Sequence, residues 1–369
     1  MLRTTMACRR LKGKFALRQA QCERFLNNPN AFTKVESRIG MLHLRRHRFQ
    51  FWIAAWFLIS AALGAEEIGR GGYAGAFLRM GLGARGMAMG GGSVALGGGG
   101  CTAHYNPAIL VFLDGTYVTA SLNAMALDRS LRFIGYAQSV GGKKADSSRG
   151  LIRGGFSLGW LSAGVDGIDG RDDDGIHTQT YSNSEHCFTF SFALNPDPRI
   201  AFGFSGKVLY NRFPKITDNG GSVSATGFGF DIGLIVKPVP SVSLGLVLRD
   251  IRSKYTWDSQ KLFERGTQTV NPFPRVLRAG ASWKGWKDRL VLSCDLEKVE
   301  FFPKTFSFGA EAEPVRGVFV RGGMLRNEKT FGAGTRFLKW GKTVVLDYAY
   351  VPDPVAPSDV HVFTWSIVF

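Results

Sequence analysis

Beyond residue 65 the chain has no apolar run approaching the roughly 20 residues that a helix needs to cross a bilayer. Any spanning there must be done by strands of about ten residues in a closed barrel, the other arrangement that satisfies every backbone group in lipid. Cysteine is sparse, and of the five, Cys8 and Cys22 precede the leader described below. The remaining Cys101, Cys187 and Cys294 are odd in number and lack metal-type spacing, so neither a disulfide framework nor a zinc site is indicated. No nucleophile elbow or acid/base pair stands out. A hydrolase assembled from scattered Ser, His and Asn on a barrel face is left open, but the chain reads as a non-enzyme without a cofactor.

What the chain has in abundance is glycine, 47 residues, beside 29 phenylalanines. At the front, residues 41–65 carry a basic head (Arg45, Arg46, Arg48), an apolar run over 51–63, and the small residues Ala62 and Gly64 placed for cleavage near Ala65. This is the pattern of a secretory signal peptide, with an uncleaved anchor as the alternative that the short run and the following Glu66 and Glu67 disfavour. Met41 opens this segment, so residues 1–40 read as an extension from an upstream start codon. They hold nine Lys/Arg against two Asp/Glu; with them and the three leader arginines removed, the net charge of +17 falls to +7. A charge of that size gives no argument for nucleic acid. No cysteine follows the leader as a lipid-modified one would.

Residues 66–114 form a separate region, glycine-rich over 75–110 and too broken for a strand or a long helix. It reads as a plug that folds into the pore of its own barrel. Gly81-Leu-Gly83-Ala-Arg-Gly86 matches a dinucleotide fingerprint, but no strand precedes it and Asn106 stands where the ribose-binding acid belongs. Close packing of backbone is the better reading. His104, beside this region, reads as a packed polar residue.

From Gly115 to Phe369 the rhythm is alternation, as in strands whose side chains point to opposite faces. Phe188, Phe190, Phe192 and Leu194 lie on one face and Thr189, Ser191 and Ala193 on the other; Phe228, Phe230, Ile232 and Leu234 oppose Gly227, Gly229, Asp231 and Gly233. The last stretch sets Phe363, Trp365, Ile367 and the terminal Phe369 on one side, similar to the signal read by outer-membrane assembly machinery. Fourteen strands are expected, near 116–126, 130–139, 151–162, 185–194, 199–211, 223–236, 241–251, 274–283, 288–296, 304–311, 315–324, 329–338, 342–350 and 360–369. From the fourth strand onward the connections alternate between tight turns (195–198, 237–240, 284–287, 339–341) and, mostly, longer polar loops such as 252–273 and 351–359. Short periplasmic turns and long external loops predict that rhythm, with the 139–150 link as an exception. The fold class is therefore all-β: a transmembrane antiparallel barrel of about 14 strands, over 115–369, with an N-terminal hatch in its lumen.

If the phenylalanine faces meet lipid, the lumen carries Lys207, Asp231, Arg249, Arg278, Asp295, Glu311, Arg336 and Asp347. Opposite signs on neighbouring strands read as an interior pairing network rather than a substrate path, because buried charges need partners. The loop 166–175 places Asp166, Asp169, Asp172, Asp173 and Asp174 close together. Such oxygen density suits calcium, but the EF-hand frame and its closing Glu are missing, so a solvated acidic loop is expected and no metal site is assigned.

Two segments after the leader, Gly83-Ala-Arg85-Gly86-Met87-Ala88-Met89-Gly90 and Tyr105-Asn106-Pro107-Ala108-Ile109-Leu110, together with the ending that contains Leu346-Asp347-Tyr348-Ala349-Tyr350, resemble the FadL-type outer-membrane transporters. The similarity is greatest to their PorV/PorQ-like branch, including spirochaete members. The resemblance implies a fourteen-strand barrel in the outer membrane, gated by an N-terminal hatch and admitting hydrophobic molecules such as long-chain fatty acids, which leave sideways through the wall. Asn106, Pro107 and Ala108 would then sit in the hatch, with Gly83, Arg85 and Gly90 helping to thread it. Where the family shows an acidic, serine-containing stretch, this chain has four glycines over 97–100 and then Cys101-Thr102. The implied partners are outer-membrane lipid, a hydrophobic ligand and the assembly machinery. The alternative is a PorV-like barrel that receives secreted cargo proteins.

Overall fold

The computed structural model describes residues 73–141, 153–216, 220–260, 265–353, 356 and 358–369. The extension 1–40, the leader 41–65, the first residues of the expected plug and most of the 139–150 link lie outside the described residues.

Fourteen antiparallel strands close on themselves. They are β1 (Thr116–Ala124), β2 (Arg129–Val140), β3 (Arg153–Arg171), β4 (His177–Asp197), β5 (Ile200–Phe213), β6 (Val223–Val239), β7 (Val242–Ile251), β10 (Val276–Gly285), β11 (Leu290–Val299), β12 (Lys304–Val315), β13 (Val318–Leu325), β14 (Glu328–Lys339), β15 (Lys342–Val351) and β16 (Val360–Val368). Each pairs with its chain neighbour, and the seam is β1 on β16, from Tyr117 opposite Val368 to Ala124 opposite His361. The expected loop 252–273 is only partly a loop, because it contains a hairpin of β8 (Lys254–Asp258) and β9 (Gln268–Pro272). β8 pairs with β6 at Ala225 and Thr226. Thr, Tyr, Trp and Val over 254–257 and 268–270 have the composition for strands, but each run is too short to show a period.

Burial follows the alternation. On β6, Phe228, Phe230 and Ile232 are exposed while Gly227, Gly229, Asp231 and Gly233 are buried. On β16, Phe363, Trp365 and Ile367 face outward and Val362, Thr364 and Ser366 inward. An outer face this apolar fits hydrocarbon and not water. Strand lengths divide the barrel: β1, β11 and β16 have 9, 10 and 9 residues, enough to span, whereas β3 with 19 and β4 with 21 run on well beyond the wall. Asp166 to Arg171, expected as loop, therefore belong to a strand, and only residues 172–176 turn. The connection between β13 and β14, on the long-loop side, is a tight two-residue turn at Arg326 and Asn327 (φ 52° and 73°). Trp340 and Gly341 (φ 52° and 72°) make a matching turn on the other side, both residues in the left-handed region that such hairpins require.

Residues 73–115 contain two short helices, α1 (Ala84–Ala88) and α2 (Thr102–Tyr105), and 3-10 turns at Ala76–Arg79 and Pro107–Phe112. At one end Tyr73 stacks on Phe301 between β11 and β12, centroids 5.7 Å apart. At the other, Leu113 O accepts from Ser139 Oγ at 2.8 Å, near the end of β2. The segment thus runs from the long-loop side to the tight-turn side of the barrel.

Candidate functional site

Glycines on the inner face of the wall are what let this segment approach. A Cβ at Gly203 of β5 would stand 2.2 Å from Ala108 N, one at Gly233 of β6 2.0 Å from Asn106 Oδ1, and one at Gly245 of β7 2.6 Å from Val94 O. On the far side a Cβ at Gly323 of β13 would stand 2.3 Å from Gly90 N, and one at Gly309 of β12 2.4 Å from Met89 O. Four of these five strands use a missing side chain to accept segment backbone, and β6 uses one to accept the Asn106 side chain, which accounts for these wall glycines.

Polar groups fix the register of the fit. Ala84 N–H donates to Thr364 Oγ1 of β16 (2.8 Å), Gly90 N–H to Thr330 Oγ1 of β14 (3.1 Å), and Ser282 Oγ of β10 to Ala95 O (2.8 Å). Asn106, fully buried, spends its amide on Val94 O (3.1 Å) and Leu234 O of β6 (3.2 Å), while its Oδ1 accepts from Ala108 N (3.0 Å). Asn106 thereby caps the turn that Pro107 begins and ties that turn to the wall. Gly83 and Gly90 hold φ of 77° and 66° at the two ends of α1, conformations that need glycine.

The buried charges form three groups. In the first, Lys207 Nζ of β5 lies 2.7 Å from Asp231 Oδ1 of β6 and 2.8 Å from Asp250 Oδ1 of β7. Arg249 beside it donates to Leu78 O (3.0 Å) and stands 3.4 Å from His104 Nε2, so His104 is a packed partner of the network. In the second, Arg278 of β10 pairs with Asp295 of β11 (3.1 Å) and donates to Gly91 O, while Asp295 Oδ2 accepts from Ser93 N (2.8 Å) and Val94 N (3.1 Å). In the third, Arg85 grips Glu311 of β12 with Nε (2.8 Å) and Nη2 (2.7 Å), and its Nη1 reaches Gly97 O and Gly98 O, both at 2.8 Å. Glu311 is shared with Arg321 of β13 (2.6 Å), which also holds Asp347 of β15 (2.7 Å). Each group joins neighbouring strands and touches the segment.

Seven of the eight expected lumen charges belong to these groups. Arg336 does not: its side chain is 49 % exposed at the tight-turn end of β14, where it pairs with Glu313 at 3.3 Å. Alternation gave its direction correctly, but its depth is set by how close the strand end lies. Asp250 and Arg321 were not among the expected residues. Asp250 is hidden by a bulge, since Arg249 and Asp250 both turn inward opposite Asp231 where the β6–β7 register shifts, with φ of 59° at Asp250. Adjacent opposite charges near a strand end were the available sign. Arg321 follows the same alternation as the rest, behind exposed Val318 and Val320.

Apolar layers flank the charges. On the long-loop side Phe77, Leu78 and Leu82 pack with Leu131, Leu209, Tyr255 and Phe273. On the tight-turn side Ile109, Leu110 and Val111 pack with Ala137, Ala193 and Ile235. The acidic tip of the β3–β4 hairpin uses its carboxylates locally: Asp169 bonds His177 Nδ1 (2.5 Å) and Arg171, and Asp172 Oδ1 accepts from Asp174 N (3.1 Å) and Ile176 N (2.8 Å). Hydrogen bonds from His177, then Arg171, hold the Asp169 carboxyl below the usual carboxylate range. Among the described residues no group of three His, Cys, Asp or Glu is placed to hold a metal ion.

Comparison by sequence finds no matching family and no matching characterised protein. Comparison by structure does find neighbours. The Ralstonia pickettii toluene transporter TbuX aligns with a TM-score of 0.54 at 15 % identity, over 78 % of this chain and 98 % of its own. A deltaS2S3 mutant of the monoaromatic hydrocarbon channel TodX gives 0.52 at 16 %, over 78 % and 97 %. A FadL homologue from Pseudomonas aeruginosa gives 0.55 at 11 %, again over 78 % and 97 %. At these identities the likeness establishes a shared barrel fold.

Proposed function

We propose that this chain is an outer-membrane channel of the FadL type, related to the PorV/PorQ-like branch, that admits hydrophobic small molecules such as long-chain fatty acids. In this reading residues 41–65 are removed on export and residues 66–114 act as the hatch. The observation that carries it is the layered lumen. An apolar cluster around Phe77, Leu78 and Phe273 meets a molecule arriving from the long-loop side, and below it the Arg85, Arg249 and Arg278 groups bind the segment to the wall. An oily molecule is received by the first layer and passes only when the second lets go. The fold neighbours TbuX and TodX, described as carriers of toluene and monoaromatic hydrocarbons, support a hydrophobic rather than an ionic cargo.

The test is flux. Proteoliposomes carrying the purified barrel, with a fatty-acid-sensing dye inside, are expected to admit oleate several-fold faster than protein-free vesicles, and a parallel assay with toluene ranks the two chemistries. Equal rates with and without the barrel for both compounds would overturn the reading. Intact-mass measurement of the protein from outer-membrane fractions is expected to place its first residue close to Ala65.

A further inference from the structure

The outer wall of the barrel carries a groove that lies apart from the lumen. Its volume is about 680 Å³, and it opens on the outward, phenylalanine-rich face of β2 to β6. Strand register explains it. One row across β2 to β6 reads Ile134, Trp160, Phe188, Val208, Phe228, all outward. The next row reads Tyr136, Leu158, Phe190, Gly206, Phe230, and here the run of large side chains is broken by a single glycine. A Cβ at Gly206 would find only Phe204 Cε1, at 4.0 Å, so the floor is open. Flat rings line the sides: Trp160 stacks on Phe188 (6.2 Å, 7°), and Phe230 is backed by Phe204 outside the groove (5.6 Å).

The row on the long-loop side changes character. It reads Arg132, Ser162, His186, Tyr210, Thr226, and the rings of Trp160, His186 and Tyr210 stack in sequence at 6.0 Å and 6.2 Å. His186 Nδ1 is buried and has no hydrogen-bond partner among the described residues. Arg132 in this row and Arg212 in the next row toward the long loops both face outward and are exposed. A groove that is apolar below and bordered above by the stacked rings of His186 and Tyr210 and by two exposed guanidinium groups matches an amphiphile with one acyl chain down the wall and an anionic head at its rim.

We propose that this groove is a seat for one acyl chain of an anionic membrane lipid, held on the outside of the barrel with its headgroup beside His186, Arg132 and Arg212. The groove is continuous with the lipid-facing belt, so the occupant comes from the bilayer. A concavity of this size in an apolar surface is filled by hydrocarbon. The seat is distinct from the lumen and does not depend on what the lumen carries.

The probe is phosphatidylglycerol with a diazirine midway along one acyl chain, in vesicles containing the purified barrel. After irradiation, adducts on the peptides bearing Trp160 and Phe188 to Phe190 are expected to exceed those on the outward faces of β12 to β15 at least fivefold. Gly206→Phe fills the floor from outside and is expected to bring labelling down to that background. His186→Ala is expected to lower it about threefold with the phosphatidylglycerol probe and not with an uncharged diacylglycerol probe. The heat-dependent gel mobility of folded barrels checks that each variant is closed. Uniform labelling around the wall, or unchanged labelling in folded Gly206→Phe, would overturn the proposal.

Discussion

Arg85 and Glu311 show what single residues do here. Glu311 lies between two guanidinium groups, and only the fork of Arg85 reaches both of its oxygens while also capping Gly97 O and Gly98 O. Breaking one partner of a buried pair costs about 3–5 kcal/mol, because the remaining charge stays desolvated. Arg85→Ala is therefore expected to loosen α1 from the wall, raising single-channel conductance in planar bilayers and protease nicking within 73–115. Arg85→Lys keeps the charge without the fork and should fall between. Gly203→Val is a purely steric counterpart: its new side chain would overlap Ala108 N and Pro107 C, and overpacking of this kind costs about 1–3 kcal/mol. It is expected to lower the temperature at which the closed form opens on a gel, whereas Gly206→Val, three positions along and so on the outer face, should leave it unchanged. At this scale the chain was half legible. Arg85, Asn106 and the lumen charges could be read from motif and alternation, but Asp250 could not, because a bulge depends on the register of two strands and alternation describes one.

At the scale of elements, the wall strands were legible because each carries its own period-two record, and β8 and β9 were not because five residues show hardly more than two turns of that period. The β3–β4 hairpin behaves as two parts. Its wall part is buried on one face, while its tip, beyond about Val165, rests on pairs such as Asp169 with His177 and Arg171. A carboxyl held below its unfolded value of about 3.9 stabilises fully above that pH and loses the contribution as pH falls through its own lower value. A spin label at Ile176→Cys is expected to report constant mobility from neutral pH down to about pH 4 and increasing mobility below it. In Asp169→Asn it should be mobile at every pH. The same dependence is expected of the long-loop end at Glu300, whose carboxyl Arg275 holds low by hydrogen bonds.

For the molecule as a whole, an outer face set with large exposed apolar side chains around an interior that holds the paired charges between apolar layers departs from the arrangement of a soluble barrel. The purified protein is expected to stay dispersed only in detergent or lipid, which ultracentrifugation before and after detergent removal will show. A compact species that remains in the supernatant without detergent would refute the assignment of the faces. The global architecture was readable from the sequence because strand count, connection rhythm and the terminal phenylalanine all agree. The path of residues 73–115 through the lumen was not, since glycine contacts such as Gly323 with Gly90 leave no mark on either partner taken alone.

The pairing of the first strand with the last also sets a timetable. The ring can be sealed only when Val368 reaches Tyr117, yet the 3-10 turns and helices that fill it precede every one of its staves along the chain. The filling has to be in place, or held nearby, while the cylinder is still a curved open sheet. A chain stopped before Val360 should therefore leave residues 73–115 cleavable even where the thirteen earlier staves have already bonded.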